Sequence, residues 1–247
     1  MIEFQKLTRT YGDFTAVQPL SLLVQRGEVF GFLGPNGAGK TTTIRMMMGI
    51  LVPSGGRALI SGFDCHTQRA EVQRHVGYLP DNPIYYDFLR GREILQFVAE
   101  MHGMARAEAA RQALRMLSEF GLEDVVDEFA VNYSMGMKKK LGLACALIHD
   151  PEVLILDEPI NGLDPRAARD VQERLKLAAA SGKTIFMSTH LLDMAEKVCT
   201  RVGIIHRGDL VATGTLDELR QRVEQNASLE QVFLSVTEES AAQASSP

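Results

Sequence analysis

Tryptophan is absent, and only three cysteines occur in 247 residues: Cys65, Cys145 and Cys199. They are far apart, odd in number and never in a C-x-x-C pair, so neither a disulfide framework nor a thiolate metal site is expected. Reduced thiols in a cytosolic protein fit this usage. No uninterrupted apolar run approaches the roughly 18–20 residues of a membrane helix. The first residues, Met1-Ile2-Glu3-Phe4-Gln5-Lys6, contain no apolar signal core. A membrane role is therefore expected to run from the cytosolic side, through another chain. There is no basic excess either. The net charge of −5 argues against nucleic acid as the main partner. No internal repeat is visible.

What remains is an average globular composition, 45% hydrophobic and 23% charged. One stretch stands out from it: Gly34-Pro35-Asn36-Gly37-Ala38-Gly39-Lys40-Thr41-Thr42. It reads G-x-x-x-x-G-K-T, a phosphate-binding loop. The apolar run Val29–Leu33 before it predicts a buried strand, and Ile44, Met47, Met48 and Leu51 after it recur at helical spacing. Glycines let successive backbone N–H groups converge on phosphate oxygens at a helix N-terminus. Lys40 is suited to reach the β- and γ-phosphates, and the Thr41 hydroxyl to ligate Mg²⁺. The run Met46-Met47-Met48 is expected to pack into the core behind the loop.

Residues 2–7 alternate as a half-buried strand, Tyr11-Gly12-Asp13 reads as a turn, and Phe14–Val24 resumes strand character. Pro53-Ser54-Gly55-Gly56 is a break, followed by short strands at Arg57–Ser61 and Val76–Leu79. Helical stripes then dominate: Ile94, Phe97, Val98, Met101; Ala110, Ala113, Leu114, Leu117; and Met137, Leu141, Ala144, Cys145, Ile148. Strand texture returns at Val153–Leu156, Thr184–Ser188 and Val202–His206, with a helix over His190–Val198. Asp164 is placed to cap a helix that has Pro165 at its first position. Thr215-x-x-Glu218 and Ser228-x-x-Gln231 are capping boxes, the second opening a helix with Leu229, Val232, Phe233 and Val236 on one face.

The run Val153-Leu154-Ile155-Leu156-Asp157-Glu158 predicts a central strand ending in two acids at the carboxyl edge of a sheet, where open α/β sheets bind nucleotides. Asp157 would hold Mg²⁺ through water, and Glu158 would polarise the water that attacks the γ-phosphate. Together with Tyr133-Ser134-Met135-Gly136-Met137, Asn161-Gly162-Leu163-Asp164 and Ser188-Thr189-His190, these motifs resemble, in order, those of the ATP-binding cassette (ABC) ATPases. The resemblance covers residues 2–235. It implies an α/β P-loop core with an antiparallel β subdomain and an inserted α-helical subdomain. The expected division is a single domain over 1–236, with core 1–81 and 151–236 and helical insertion 82–150, and a disordered tail over 237–247.

Further roles follow from the resemblance. Tyr11 would stack on adenine. His190 would contact the γ-phosphate, and Asp81 would approach Mg²⁺ or the attacking water. Ser134 and Gly136 would meet the ATP held by a second cassette, with Asp164 in a loop that crosses the dimer interface. ATP and Mg²⁺ are the implied cofactors. The implied partners are a second ATPase subunit and a separately encoded transmembrane permease, with the protein peripheral on the cytosolic face of the membrane. The sequence departs from the pattern at Asp81, where the family usually has Gln and some exporter branches Glu. It departs again at Tyr133, Met135 and Met137, which replace Leu, Gly and Gln. The Y-S-x-G-M form, with the tail Ser228-Leu229-Glu230-Gln231-Val232-Phe233, is similar to the ABC-2 type exporter branch. Lys138-Lys139-Lys140 reads as a solvated face, and Tyr85, Tyr86 and Phe88 either touch a membrane subunit or pack locally. The rival functions are a soluble cassette ATPase of translation or DNA maintenance, and a nucleotide-binding regulator that does not hydrolyse.

Overall fold

The structure, a computed structural model, describes residues 1–221 and 228–244, with side chains as far as Glu238. Its frame is a pair of sheets. The smaller is antiparallel, in the order β2 (Phe14–Val24), β1 (Ile2–Tyr11), β4 (Gly55–Ile60), β5 (Phe63–Asp64). The larger has the order β10 (Asp209–Thr215), β9 (Arg201–His206), β3 (Val29–Leu33), β8 (Thr184–Thr189), β7 (Val153–Asp157), β6 (Val76–Leu79). It is parallel from β9 to β6, and β10 runs antiparallel along one edge.

Strands β3, β7 and β8 are buried at every residue. Layers on both faces require such continuous apolar runs, because neither face of the sheet meets water. The period of two divides the side chains of β3 between two cores. Phe30 and Phe32 face the antiparallel sheet and α1 (Lys40–Met47), whereas Val29 and Leu33 face the helices on the other side. The first core centres on Phe186, whose ring centroid lies 6.0 Å from that of Phe4, 5.7 Å from Phe30 and 5.4 Å from Phe32. Met46, Met47 and Met48 are buried in the same core, as expected. Phe186→Ala should cost about 3–5 kcal/mol, the usual toll for emptying a fully buried aromatic site. Urea unfolding followed by circular dichroism would read this as a lower midpoint at unchanged slope.

Between β6 and β7 the chain forms α3 (Gly91–Met101), α4 (Arg106–Glu119) and α5 (Met135–Leu147), after α2 (Arg69–His75). Ile94, Val98, Ala113, Leu117, Leu141, Ala144 and Ile148 from the expected stripes join the second core, whereas Phe97, Met101 and Leu114, read as part of the same stripes, are exposed. Beyond β7 come α6 (Pro165–Ala180), α7 (Leu192–Val198), α8 (Leu216–Gln221) and α9 (Leu229–Ala244). Both capping boxes form. Glu218 N–H donates to the Thr215 hydroxyl and Thr215 N–H to the Glu218 carboxylate, and Ser228 and Gln231 repeat the pattern.

Several local expectations need correction. Ser61 lies in a turn at φ 51° rather than in the preceding strand, and that strand starts at Gly55. The helix expected from His190 begins at Leu192. The tail expected to be disordered from Thr237 is helical as far as Ala244, in keeping with the helix-favouring Glu, Ala and Gln found there; residues 245–247 lie outside the described residues. Strand β10 was not foreseen. It returns through Arg207-Gly208, both at positive φ (50° and 87°), the two-residue turn whose twist matches a hairpin.

Candidate nucleotide site

Strands β3 and β7 deliver the two acid and phosphate motifs to the same edge of the sheet, separated only by β8. The loop leaves β3 at Gly34, whose N–H donates to the Thr189 carbonyl at the end of β8 (3.4 Å). Ala38 N–H closes a turn on the Pro35 carbonyl (3.2 Å). Gly39 caps α1 at φ 107°, and a Cβ there would lie 2.6 Å from the Ala16 carbonyl oxygen. Only glycine fits that backbone and that approach. Gly37, at φ 81°, has open space where a Cβ would be, leaving the loop's backbone accessible to a ligand.

Lys40 is only 6% exposed. Its Nζ donates to the Gly34 and Pro35 carbonyls (2.7 and 3.2 Å) and lies 3.3 Å from Glu158 Oε1. Asp157 is 1% exposed and accepts from the Ser188 hydroxyl (2.5 Å). Burial pushes its carboxyl up from the ordinary value; hydrogen bonds from Ser188 and Thr41 oppose this, while Asp81 and Glu158 reinforce it. Glu158 sits at φ 47°, a left-handed conformation that costs of order 1–3 kcal/mol in a residue other than glycine. The neighbouring strand holds it there: Glu158 N–H donates to both the carbonyl and the hydroxyl of Ser188 (3.1 Å each). The turn aims the carboxylate back at Lys40 and at His190, whose Nδ1 is 3.0 Å from Glu158 Oε1. Neither atom forms a hydrogen bond, although Glu158 Oε1 is held by its ion pair with Lys40. Both atoms therefore have bonding capacity left for a polar ligand.

These groups open onto a cavity of 430 Å³ whose lining includes Tyr11, Asn36, Lys40, Thr41, Asp81 and Glu158. Pro35, Gly37, Gly39 and Thr42 line it as well. Gly34, Ala38, Asp157 and His190 do not line it. Tyr11 is 46% exposed at the end of β1, under the Arg9 guanidinium (4.4 Å from the ring centroid). Its hairpin partner Phe14 also lines the cavity and is 64% exposed. That second aromatic was missed in the sequence, although Tyr11-Gly12-Asp13-Phe14 places the two rings across a tight turn. The Thr41 hydroxyl and the Asp157 carboxylate, joined by a hydrogen bond, are hard oxygen donors of the kind Mg²⁺ takes.

Ser134, Gly136 and Asp164 are absent from this cavity. Ser134 caps α5, accepting from Met137 N–H (3.3 Å), and is exposed beside Met135, itself 46% exposed. Asp164 caps α6, accepting from Arg166 and Ala167 N–H (2.9 and 3.0 Å), bonds that hold its carboxyl below the ordinary value. The two helix starts touch: a Cβ on Gly136 would lie 3.3 Å from that of Ala167. They form one outward-facing edge with two helix N-termini.

The lysine run departs from expectation. Lys139 is 1% exposed, not solvated. Its Nζ donates to the Glu158 carbonyl and lies 3.4 Å from Asp81 Oδ1. Burial lowers its pKa, and the surrounding Asp81, Glu158 and Asp157 carboxylates raise it. Asp81 Oδ2 accepts from the Asn82 amide (3.1 Å), so both its oxygens are engaged.

The family model described as "ABC transporter" matches residues 17–161, more than half of the chain. The chain belongs to the ABC transporter family. Among relatives within it, the bacitracin transport ATP-binding protein BcrA of Bacillus licheniformis is 39% identical over 90% of this chain and 72% of its own length. The Escherichia coli protein named "Probable multidrug ABC transporter ATP-binding protein YbhF" is 37% identical over 95% of this chain. This chain spans 41% of that relative's length. Among solved structures, one titled "Structure of ATP binding subunit of ABC transporter" is 34% identical, with a TM-score of 0.89 over 96% of this chain and 99% of that one. A bacterial ABC transporter cassette solved as a dimer shares the ABC fold at 22% identity, with a TM-score of 0.81 over 87% of this chain and 99% of that one.

Proposed function

We propose that this chain is the ATP-hydrolysing subunit of an ABC transporter, working as a pair of cassettes that sandwich two Mg·ATP and drive a transmembrane partner. The observation that carries the hydrolytic part is Glu158: a buried carboxylate in a strained turn, within 3.3 Å of Lys40 and 3.0 Å of His190.

The loop amides and Lys40 bind the β- and γ-phosphates, and entry of nucleotide draws Lys40 from its own carbonyls. Tyr11 and Phe14 offer ring faces to adenine. Thr41 and Asp157 would hold Mg²⁺, which when bound neutralises charge on the β- and γ-phosphate oxygens. Asp81, already engaged by Lys139 and Asn82, would approach the metal or the attacking water from the cavity wall. Glu158 orients and polarises the attacking water, and His190 donates to the γ-phosphate. Catalysis is positioning and charge stabilisation around an in-line displacement, with no covalent intermediate. The site is half-built within one chain. The exposed start of α5 supplies Ser134 and Gly136 to the γ-phosphate on a second copy, and the Asp164 loop abuts the same interface.

Ile84, Tyr86 and Phe88 are 93%, 64% and 71% exposed, whereas Tyr85 is tucked in, donating to the Lys138 carbonyl (2.8 Å). An apolar cluster of this kind marks a contact surface, and we assign it to the membrane partner. Relatives named for bacitracin transport and linearmycin resistance support outward movement of the substrate. The working location is then the cytosolic face of the membrane. No helix among the described residues is long and apolar enough to cross one.

Lys40→Ala should weaken Mg·ATP binding roughly 10–100-fold, the worth of a charge-assisted contact. Calorimetric titration reads this directly. Unchanged affinity would remove the loop from the proposal. Co-purification with a membrane protein whose vesicles gain ATP-dependent transport would support the transporter role. Sedimentation with ribosomes instead would favour the translation-associated alternative.

A further inference from the structure

Helix α5 faces two ways. Ser134 caps it on the exposed edge, and Lys139, five residues on, is buried in the chain's own interior. Five residues advance roughly 7.5 Å and about 140° around a helix axis, so the two residues point to different sides. The interior side meets the carboxyl edge of the large sheet. There β6 and β7 run parallel in register, Leu79 opposite Leu156, and leave toward Asp81 and Glu158. The Lys139 ammonium contacts both exits, Asp81 through a carboxylate oxygen at 3.4 Å and Glu158 through its backbone carbonyl. No other lysine or arginine among the described residues forms an ion pair with Asp81.

We propose that Lys139 is a positioning residue for hydrolysis, pinning Asp81 and the strained Glu158 turn to the helix whose first turn engages the second cassette's nucleotide. The inference rests on the catalytic role given above to Glu158. A buried ammonium between two strand exits fixes their separation, because moving either one strips a charge of its partner. Engagement of Ser134 by the opposing ATP therefore bears on the geometry of the chain's own water-activating residue. Lys139 does not line the nucleotide cavity, so it acts on turnover rather than affinity.

The test uses the full chain carrying Lys139→Met, which keeps length and apolar stem but removes the ammonium. Asp81 retains its Asn82 contact and 35% side-chain exposure, so this variant should fold. Turnover at saturating Mg·ATP should fall about 30-fold while nucleotide affinity stays within about threefold, the signature of lost transition-state geometry. The double variant Asp81→Asn with Lys139→Gln replaces the ion pair by an amide pair and should recover about tenfold of that loss. A role in packing alone predicts a lower melting temperature without this split and without rescue. The proposal is overturned if Lys139→Met turns over as wild type, if affinity and turnover fall together, or if the double variant is no better than the single one. Failure of the underlying site would look different: Glu158→Gln, assayed alongside, would itself hydrolyse normally.

Discussion

Glu158→Gln is expected to bind Mg·ATP as wild type does and to hydrolyse it about 10²–10³-fold more slowly, the loss seen when one key group in a preorganised site is removed. The amide keeps the size of the carboxylate and is accommodated at φ 47° by the same Ser188 bonds, which reach the backbone N–H and not the side chain. What disappears is the negative charge that faces Lys40 and His190 and that, on the proposed mechanism, polarises water. Because the ground-state contacts of the loop remain, KM should change little while turnover collapses. Phosphate release with and without the membrane partner measures it. Near-wild-type turnover would transfer the role of base to another group.

Ser134→Arg should leave nucleotide binding to the isolated chain intact and abolish turnover. Ser134 is exposed and outside the chain's own cavity, so its replacement does not reach Lys40 or Thr41. Its hydroxyl does cap α5, and losing that cap costs ~1 kcal/mol locally. A long cation on a close-fitting interface is another matter. Buried without a partner it destabilises association by about 3–5 kcal/mol, more than about 100-fold in the dimer constant. Titration of nucleotide into the variant, beside a turnover assay, separates the two effects. Wild-type turnover from this chain would show that a single cassette suffices.

Much of this site was legible because its chemistry depends on local sequence. Gly34 to Thr42 carries its own backbone requirement, and the all-apolar run before Asp157 announces a central strand whose end must lie at the edge of the sheet. Capping residues declared themselves equally well: Asp164, Thr215 and Ser228 all accept the bonds their positions suggested. Lys139 was not legible. In a run of three lysines, local pattern favours solvent, and only the packing of α5 against β6 and the Glu158 turn takes the middle one inside. The same limit hid Phe14, which matters only once the hairpin folds Tyr11 beside it. Helix α2 has a single buried residue, Val72, so it presents no periodicity to read. Helix α9 continues past Thr237 on propensity after its apolar stripe has ended.

The claim on which the rest depends is that the site is completed by a second copy of the chain around ATP. The direct measurement is sedimentation velocity of the Glu158→Gln chain, with bound nucleotide quantified across the boundary. With Mg·ATP the chain should sediment as a two-chain species carrying one ATP per chain, and with Mg·ADP as a monomer. A chain that saturates with Mg·ATP and still sediments as a monomer would contradict the two-chain site.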